Sequence, residues 1–511
     1  MKRIGIDVGG TNTDAVLIDG AQVLHAVKTT TTEDVLGGII AALAALLAAS
    51  GAPDDLDAVV IGTTHFTNAV VERRALTRVG ALRIGLPASA SLPPFVDWPE
   101  DLAAQVQGVV AMVAGGHEYD GRELVPLDRA GVRAAARRMA DAGLTAIGIT
   151  SIFSPLTAAC EQEAGQILRE EMPGASITLS RDLGRIGLLE RENVTLLNAC
   201  LQPLAERTTA AFVAALRQSG ITAPLYLTQN DGTIMRAELA RQFPVYSFAS
   251  GPTNSMRGAA FLSGIDDAVV VDVGGTTTDV GYLKDGFPRE ANAAVAIGGV
   301  RTLFRMPDLL SIGLGGGTRI APDGSRIGPD SVGFRLLRQG LAFGGDTLTA
   351  TDIAIAAGRL DLGERSRLAG LAPDFVTGML ARMGAMVAEA VDRMKTEAGD
   401  VTLLAVGGGS FLIPDRLDDC AEVVRVPHHA VANAVGAAIA QASGELDQVF
   451  SGLSRDAALA QAQAEAERRA VAAGAARGTL RLVELEDIPL SYLPGDARRV
   501  RVRMIGDIGA G

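Results

Sequence analysis

The chain has 511 residues, of which 48% are hydrophobic and 21% are charged, and its formal net charge at pH 7 is −13. This length exceeds what one ordinary hydrophobic core supports and predicts two or three domains. The acidic balance excludes sequence-independent binding to nucleic acid or to an anionic membrane, because both require clustered lysine and arginine.

The cysteines and the apolar runs indicate the compartment. Cys160, Cys200 and Cys420 lie far apart, which favours neither a disulfide framework nor a structural zinc site. The amino terminus lacks the apolar run of a signal peptide. The longest apolar helical run, residues 38–50, is shorter than the roughly 20 residues that span a bilayer. We therefore expect a cytoplasmic protein that binds a small molecule or a protein partner.

The first part of the chain alternates between two periodicities. Apolar residues predict strands over 3–8 and 14–18, joined by a Gly-Gly-Thr-Asn-Thr turn into a hairpin. Further elements follow: helices at 34–50, 128–143 and 156–171, and strands at 57–62, 79–84, 145–151 and 176–180. Alternation of this kind predicts an α/β fold.

The second part repeats the plan. A second hairpin begins near Ala268. The other predicted elements are one or two helices over 186–217 interrupted near Pro203, a strand at 224–229, helices at 349–358 and 373–397, a strand and turn at 403–414, and a helix after Pro427. The end of the chain predicts a helix at 454–476 followed by two or three strands, which we expect to form a small appended β element.

One short sequence motif, called a word below, occurs twice. "IDVGGTNTD" (6–14) and "VDVGGTTTD" (271–279) are offset by 265 residues, and each ends an apolar run at an aspartate. A period this long indicates a duplicated domain rather than a stacked array of repeats. A single copy is as consistent with a plain hairpin turn as with a binding site, whereas two copies with the same flanks favour a pair of phosphate-binding loops.

The chemistry of the word suits a polyphosphate. Glycines let backbone N–H groups approach phosphate oxygens, and threonine hydroxyls add further donors. Asp7 and Asp272 are predicted to hold Mg²⁺, directly or through water, or to orient a nucleophile, and both are candidate catalytic residues. The predicted phosphate-binding residues are Gly9, Gly10, Thr11, Asn12 and Thr13 in the first hairpin, and Gly274, Gly275, Thr276 and Thr277 in the second.

A third glycine-rich segment follows the second hairpin. Gly407, Gly408, Gly409 and Ser410 come after an apolar strand, where we expect a helix to begin. The glycines would let the backbone approach a nucleoside. In isolation this segment is equally consistent with a bare turn, but its position after both hairpins favours an adenosine contact.

These motifs, in this order, resemble those of the actin-like ATPase superfamily. Further words resemble the hydantoinase A/5-oxoprolinase family more closely, and the resemblance covers nearly the whole chain. The words are "GIDVGGTNTD" (5–14), "GTTHFTNAVVERR" (62–74), "GHEYDGRELVPLD" (116–128), "NVTLLNACLQP" (193–203), "SGP" (250–252), "VDVGGTTTDV" (271–280), "SIGLGGGT" (311–318) and "ANAVGAA" (432–438).

The resemblance implies a fold and its boundaries. It implies duplicated actin-like, ribonuclease H-like ATPase domains with a nucleotide cleft between them. We expect an amino-terminal domain over 1–190, a second domain over 191–445, and a helix with a β extension over 446–511.

The resemblance also implies an activity. ATP and Mg²⁺ would serve as cofactors, and the substrate would be a cyclic amide similar to hydantoin or 5-oxoproline. The γ-phosphate is expected to pass to the ring carbonyl oxygen, with a separate B-type subunit completing ring opening and homo-oligomers also expected. Two alternatives keep the same hairpins: a subunit of an ATP-dependent acetone-type carboxylase, and a non-catalytic nucleotide-dependent scaffold.

The loop "GTTHFTN" holds the candidate substrate contacts. His65 is a candidate acid/base or substrate hydrogen-bonding group, although a lone histidine is as often structural. Thr63, Thr64 and Asn68 would bind a carbonyl group or cap the following helix. Asp14 and Asp279 close the two hairpin words, where they would order the turns or one would act as a base.

Overall fold

The computed structural model of the chain describes residues 1–9, 11–30, 35–51, 55–184, 186–291, 294–303, 305–396, 398–417, 420–491 and 495–509. Strands and helices alternate along it, as the periodicities predict. None of the helices within these ranges combines the length and the apolar character that a bilayer span requires.

The first part of the chain contributes eight strands and five helices from its described residues. The strands are β1 (Lys2–Val8), β2 (Asn12–Asp19), β3 (Gln22–Thr30), β4 (Ala58–Thr63), β5 (Val79–Leu86), β6 (Gln107–Ala114), β7 (Ala146–Ser151) and β8 (Ser176–Leu179). The helices are α1 (Val35–Ser50), α2 (His65–Val71), α3 (Glu100–Val106), α4 (Arg129–Asp141) and α5 (Ala159–Glu171).

The middle of the chain follows with a long helix and the second hairpin. Its helices are α6 (Leu188–Gln218), α7 (Ala237–Gln242), α8 (Ser250–Ser263), α9 (Leu336–Gln339), α10 (Ala350–Ala356) and α11 (Pro373–Met394). Its strands are β9 (Leu225–Thr228), β10 (Thr233–Arg236), β11 (Ala268–Val273), β12 (Thr278–Lys284), β13 (Phe287–Pro288), β14 (Val295–Ile297), β15 (Val300–Thr302), β16 (Leu309–Ile312), β17 (Thr318–Ile320) and β18 (Ile327–Ser331).

The last part returns to the first sheet. It comprises β19 (Val401–Val406), β20 (Cys420–Val424), α12 (Ala432–Ile439), β21 (Gln441–Phe450), α13 (Arg455–Ala472), β22 (Arg481–Pro489) and β23 (Arg498–Gly506).

Two sheets share one strand plan. The first contains the order β3-β2-β1-β4-β9, in which β2 is antiparallel to its neighbours and β1, β4 and β9 are parallel. The second contains β13-β12-β11-β19-β20, in which β12 is antiparallel and β11, β19 and β20 are parallel; β16 also pairs with β12. The repeated plan is that of duplicated actin-like domains, and the predicted fold class is confirmed.

Two helices join the sheets. Helix α12 packs on β1, β2 and β4, helix α8 packs on β11, β12 and β19, and the two helices pack against each other. Their approach depends on glycine: a Cβ on Gly436 would collide with the carbonyl oxygen of Asn254, and a Cβ on Gly258 would collide with that of Ala432. The elements that carry the two repeated words are therefore coupled through one close helix contact.

Apolar side chains cover the outer faces of both sheets. Helices α1 and α6 supply Ile39, Leu43 and Phe212 to the core under the first sheet. Helices α10 and α11 supply Ile353 and Met383 to the core under the second. A separate parallel sheet, β6-β5-β7-β8, is inserted between α2 and α6 and packs against α6 through β7.

The predicted break at Pro203 is wrong. Residues Leu188–Gln218 form one helix that continues through Pro203. Proline removes one backbone donor, but Cys200, Leu201 and Leu204 around it are buried in the core. Tertiary packing on both sides therefore holds the helix continuous.

The helix and strands predicted for the carboxyl end are present as α13, β22 and β23, and the strands join the first sheet rather than forming an element of their own. Strands β21, β23 and β22 extend the first sheet beyond β10, because β21 pairs in parallel with β10. The boundaries after 190 and 445 stay predictions. The first sheet takes strands from all three predicted segments, since β9 and β10 belong to it as well.

Candidate functional site

The two repeated words form hairpins with the same register. Asp7 on β1 lies opposite Asp14 on β2, and Asp272 on β11 lies opposite Asp279 on β12. Four carboxylates thus stand at corresponding positions, one at the end of each first strand and one at the start of each return strand.

The two loops close in the same way. The Gly9 N–H donates to the Asn12 carbonyl oxygen at 3.0 Å, and the Gly274 N–H donates to the Thr277 carbonyl oxygen at 2.9 Å. These residues occupy equivalent places in the two words, so the sequence repeat extends to the hydrogen bonds of the turn. Gly10, the remaining predicted phosphate contact of the first loop, lies outside the described residues.

The tips of the hairpins approach each other. A Cβ on Gly275 would lie 2.7 Å from Thr11 Oγ1, so the glycine allows a closer approach of the two tips than another residue would. Thr276 and Thr277 are exposed beside it, whereas Thr13 is fully buried on β2. The loops therefore face each other, but the Thr13 side chain, a predicted phosphate contact, is directed into the protein.

The two carboxylate oxygens of Asp7 differ: one accepts a hydrogen bond and the other has no described partner. The residue is only 4% exposed. Its Oδ2 accepts a hydrogen bond of 2.9 Å from Asn433 Nδ2, which also donates to Asp14 Oδ2 at 3.0 Å. Asp7 Oδ1 has no hydrogen-bond partner within the described ranges. A buried oxygen without a partner indicates a place for a ligand.

Neighbouring residues pack closely around this oxygen. Gly62 on β4 lies beside Asp7 in the sheet, and a Cβ there would lie 2.7 Å from Asp7 Oδ1. It would also collide with the side-chain nitrogen of Asn254, whose own Oδ1 is buried without a described partner. Glycine at position 62 therefore lets the polar side chains of Asp7 and Asn254 approach the backbone of β4.

Burial and charge change the acidity of Asp7. Desolvation and the nearby Asp14 carboxylate raise its pKa to about 7, against the Asn433 hydrogen bond, which lowers it; Asp272 raises it further. A carboxyl with a pKa near 7 exchanges its proton for a divalent cation at little cost at neutral pH.

Asp272 has a comparable place in the second domain. Burial raises its pKa, while a hydrogen bond from Ser255 and the charge of Lys28 lower it. A side chain on Gly407 would overlap Asp272 Oδ1, and the backbone of Gly407 has φ +86. Glycine is thus required here both for its conformation and for the approach to the aspartate.

The predicted adenosine segment is tied to the second hairpin. The Gly407 N–H donates to the His429 carbonyl oxygen at 2.9 Å, and the Gly409 N–H donates to the Val273 carbonyl oxygen at 2.8 Å. Gly408 is exposed, Ser410 is buried, and a 3₁₀ turn over Ser410–Leu412 replaces the expected helix. The exposed backbone of Gly408 therefore stands beside the end of β11.

The word "SIGLGGGT" supports the second hairpin from behind. The Gly316 N–H donates to the Gly274 carbonyl oxygen at 3.0 Å, and the Gly317 N–H donates to the Gly275 carbonyl oxygen at 2.7 Å. Both N–H groups are already hydrogen-bonded within the protein, so this segment stabilises the shape of the second hairpin loop.

Of the predicted substrate contacts, Thr64 lies near Asp7 across Gly251, and Asn68 contacts Thr64. A Cβ on Gly251 would lie 3.1 Å from Thr64 Cγ2 and 4.0 Å from Asp7 Oδ1, and Asn68 Nδ2 donates to Thr64 Oγ1 at 3.3 Å. Thr63, in contrast, is 1% exposed, and its carbonyl oxygen accepts from Ser250 Oγ at 3.0 Å.

His65 faces other charges. It is the first residue of α2 and is half-buried; burial lowers its pKa, Glu72 raises it and Arg207 lowers it. Neither Asp7 nor Asp272 is among the charged groups that act on it. Its predicted catalytic role stays a prediction, and its surroundings also suit a structural histidine.

Several polar residues of the site were missed by the sequence reasoning. Asn433 is the polar position in the otherwise apolar word "ANAVGAA", and Asn254 and Ser255 follow "SGP" in a helix whose neighbours are small. A buried polar side chain in an apolar helix is a usable signal. Lys28 offered no such signal, because it lies on an alternating strand.

The site suits a Mg²⁺ ion that also binds water and phosphate oxygens, rather than an ion enclosed by protein ligands alone. The described parts of the chain contain no cluster of three or more histidine, cysteine, aspartate or glutamate groups suited to a metal. Mg²⁺ keeps several waters and takes one or two carboxylates together with phosphate oxygens. The Oδ1 of Asp7, which has no described partner, suits that arrangement.

Two protein-family models match consecutive parts of the chain. A family model described as the hydantoinase/oxoprolinase N-terminal region matches residues 3–172, and a second, described as hydantoinase/oxoprolinase, matches residues 191–366.

Two curated relatives are named as enzyme subunits. The caprolactamase subunit alpha of Pseudomonas jessenii is 26% identical over 389 residues, which is 70% of this chain and 54% of the relative. The acetophenone carboxylase gamma subunit of Aromatoleum aromaticum is 27% identical over 396 residues, which is 71% of this chain and 54% of the relative. The chain spans about half the length of these relatives.

Two solved structures share the architecture. The ATP-dependent caprolactamase from Pseudomonas jessenii superposes with a TM-score of 0.79 at 20% identity, covering 99% of this chain and 88% of that chain. The nucleotide-free acetone carboxylase superposes with a TM-score of 0.72 at 18% identity, covering 100% and 89%. At these identities the likeness is one of fold.

Proposed function

Because the chain belongs to the hydantoinase/oxoprolinase family, we propose that it binds ATP and Mg²⁺ between its two hairpins and activates a cyclic amide with the γ-phosphate. The substrate would be a ring related to hydantoin, 5-oxoproline or another lactam. A partner subunit would complete the reaction, in keeping with the word "subunit" in the names of both curated relatives.

The observation that carries this proposal is the pair of facing hairpins. Asp7 and Asp272 end equivalent strands, and the loops that follow them meet at Thr11 and Gly275. Two loops of one design, each with glycines at its tip, suit a chain of phosphates that is gripped from both sides.

The proposed reaction proceeds through an activated carbonyl. The ring carbonyl oxygen bonds to the γ-phosphorus as the bond from that phosphorus to the ADP oxygen breaks. Water then adds to the ring carbon, and the C–N bond breaks to give an acyl phosphate and a free amine. A second water releases phosphate and leaves the carboxylate. ATP is needed because amide resonance opposes direct attack by water.

The residues take distinct parts in this proposal. The Oδ1 of Asp7 would hold Mg²⁺, which neutralises charge on the phosphates when it is bound. Asn433 keeps the other oxygen of Asp7 in place. Asp272 would orient the attacking group from the opposite domain, while Thr64 and Asn68 stand where a ring carbonyl could be bound.

A second candidate is a subunit of an ATP-dependent ketone carboxylase. The observation in its favour is the acetophenone carboxylase relative, which matches at 27% identity over a comparable length. The same hairpins would then activate an oxygen of the ketone or of bicarbonate by phosphorylation. The phosphate site would be unchanged and the acceptor would differ.

One assay separates these functions. ADP release is measured over a panel of hydantoins, lactams and ketones with bicarbonate, with and without the product of a neighbouring gene. Stimulation by a cyclic amide supports the first function, and stimulation by a ketone with bicarbonate supports the second. The nucleotide proposal fails if ATP with Mg²⁺ gives no thermal shift, since a ligand at 100 times its Kd stabilises by about 2.7 kcal/mol.

A further inference from the structure

Lys28 places a positive charge among the carboxylates of the cleft. It lies on β3 opposite Asp14, and its Nζ is 2.6 Å from Asp14 Oδ1. The Lys28 side chain remains 33% exposed, whereas that of Asp14 is 4% exposed. An ammonium group has three N–H donors. The ion pair with Asp14 therefore leaves donors for an acceptor on the open side.

The same ammonium group reaches the second domain. A Cβ on Gly408 would lie 3.9 Å from Lys28 Nζ, so the exposed backbone of the glycine turn faces it closely. The charge of Lys28 also acts on Asp7 and Asp272, one in each hairpin. Lys28 thus stands between both hairpins and the predicted adenosine segment.

A polyphosphate in this cleft requires cations. Asp7, Asp14 and Asp272 would repel it, because like charges at short range raise the energy of both. Within the described residues, Lys28 is the cation that acts on all three of these carboxylates. Mg²⁺ would neutralise part of the charge, and a mobile ammonium group would neutralise more.

We propose that Lys28 binds the terminal phosphates of the nucleotide, sharing its ammonium group between Asp14 and phosphate oxygens beside Gly408. This inference rests on the proposed ATP-binding function. Lys28 then links the two domains through the ligand, since Asp14 belongs to the first hairpin and Gly408 follows β19, which pairs with β11 of the second hairpin.

The composition of the chain agrees with a special role for this lysine. The sequence contains four lysines, at positions 2, 28, 284 and 395, among 46 basic residues that are otherwise arginine. Lys2 and Lys284 pair with the exposed aspartates Asp55 and Asp267. A compact ammonium on a flexible stem can move between two acceptors, whereas a guanidinium would bind one carboxylate through a rigid fork.

The first test compares Lys28→Met with Lys284→Met, a matched surface control. Binding of Mg²⁺-ATP, Mg²⁺-ADP, adenosine and Mg²⁺-tripolyphosphate is measured by calorimetry on the folded full chain. For Lys28→Met we expect the Kd of ATP and of tripolyphosphate to rise by about 10- to 100-fold, as for loss of a charge-assisted hydrogen bond. Adenosine affinity should not change, and Lys284→Met should match the wild-type chain.

The outcomes separate the role of Lys28 from ATP binding itself. If the wild-type chain binds ATP and Lys28→Met binds it equally well, the inference about Lys28 is overturned and the ATP site stands. If the wild-type chain binds neither ATP nor tripolyphosphate, both fall. A loss of adenosine affinity equal to that of ATP would also overturn the inference, because it would indicate a general structural defect.

The second test needs no variant. Wild-type protein is acetylated with a limiting amine-reactive reagent, and modification of the four lysines is followed by peptide mass spectrometry. Mg²⁺-ATP should remove most acetylation of Lys28, leave Lys284 unchanged, and protect more than AMP does. Unchanged acetylation of Lys28 at an ATP concentration that produces a thermal shift would refute the inference.

Discussion

At the scale of single residues, the site depends on how Asp7 is held. Asn433 donates to one oxygen of Asp7 and to Asp14, which separates two carboxylates that would otherwise repel each other. The second oxygen of Asp7 is buried without a described partner and packs against Gly62, where a side chain would collide with it. The oxygen that Asn433 leaves unpaired is therefore the one we expect to hold a cation.

The first prediction concerns Asp7→Asn. The substitution keeps the shape of the buried side chain but removes the charge that would hold Mg²⁺. We expect ADP release to fall about 100-fold or more while the chain stays folded. Steady-state turnover with the best substrate of the panel measures the effect. Asp267→Asn, an exposed aspartate paired with Lys284, is the control and should retain full activity.

A second prediction follows from the raised pKa of Asp7, from 3.8 to about 7. In metal-free and nucleotide-free buffer the folded chain binds this proton up to a higher pH than the unfolded chain does. The free energy of unfolding should therefore fall as pH rises from about 4 to about 7, by at most on the order of 1.4 kcal/mol per pH unit. Asp7→Asn removes this component.

Urea unfolding of both chains across this pH range isolates the contribution of Asp7. The difference between wild type and Asp7→Asn should change with pH and level off above pH 7. Parallel curves for the two chains would show that Asp7 titrates normally.

At the scale of elements, helices α8 and α12 transmit the position of one hairpin to the other. Helix α8 supplies Ser255 to Asp272, and α12 supplies Asn433 to Asp7. The helices touch through Gly258 and Gly436 at backbone distance. A shift of one helix against the other would therefore move both aspartate sites.

The third prediction compares two glycines inside helices. A methyl group at Gly436 would collide with the backbone of α8, so we expect Gly436→Ala to cost at least about 2 kcal/mol and to weaken ATP binding. Gly378 in α11 has open space around it, and Gly378→Ala should stabilise by about 0.5–1 kcal/mol. Thermal unfolding and nucleotide titration of both variants check this; equal effects would argue against the close helix contact.

At the scale of the whole molecule, buried charges connect the segment after the second hairpin to the last strands. Arg305 is 9% exposed at its side chain and lies 2.8 Å from Glu290 and 2.5 Å from Glu484 on β22. Arg501 on β23 joins the same carboxylates. The segment leads directly into β16, which pairs with β12, so the carboxyl-terminal strands stabilise the second domain as well as the first.

The fourth prediction uses two arginines of this segment. Arg305→Met would remove one buried cation from Glu290, Glu484 and Asp231, which keep Arg501 and Arg503 as cationic partners, and we expect a loss of up to about 3–5 kcal/mol. Arg301→Met removes an exposed pair with Glu190, 3.0 Å apart, and should change stability by less than about 1 kcal/mol. Urea midpoints give both values. Equal losses would show that burial of the Arg305 network contributes little.

Local features were predicted well because they depend on short sequence spans. The two hairpins and the α/β alternation both follow from strand period, turn glycines and the repeated word. The start of α10 is local in the same sense: Asp352, the third residue of the helix, forms a capping box with Thr349.

The remainder was decided by tertiary structure. By itself the sequence determined the duplicated fold and the two aspartates that end equivalent strands, since both are written in short repeated patterns. Tertiary structure brought Asn433 and Lys28 to those aspartates, gave His65 other neighbours and joined β21–β23 to the first sheet. The reason is physical: strand and turn preferences act over a few residues, whereas the meeting of distant polar groups depends on how the whole chain packs.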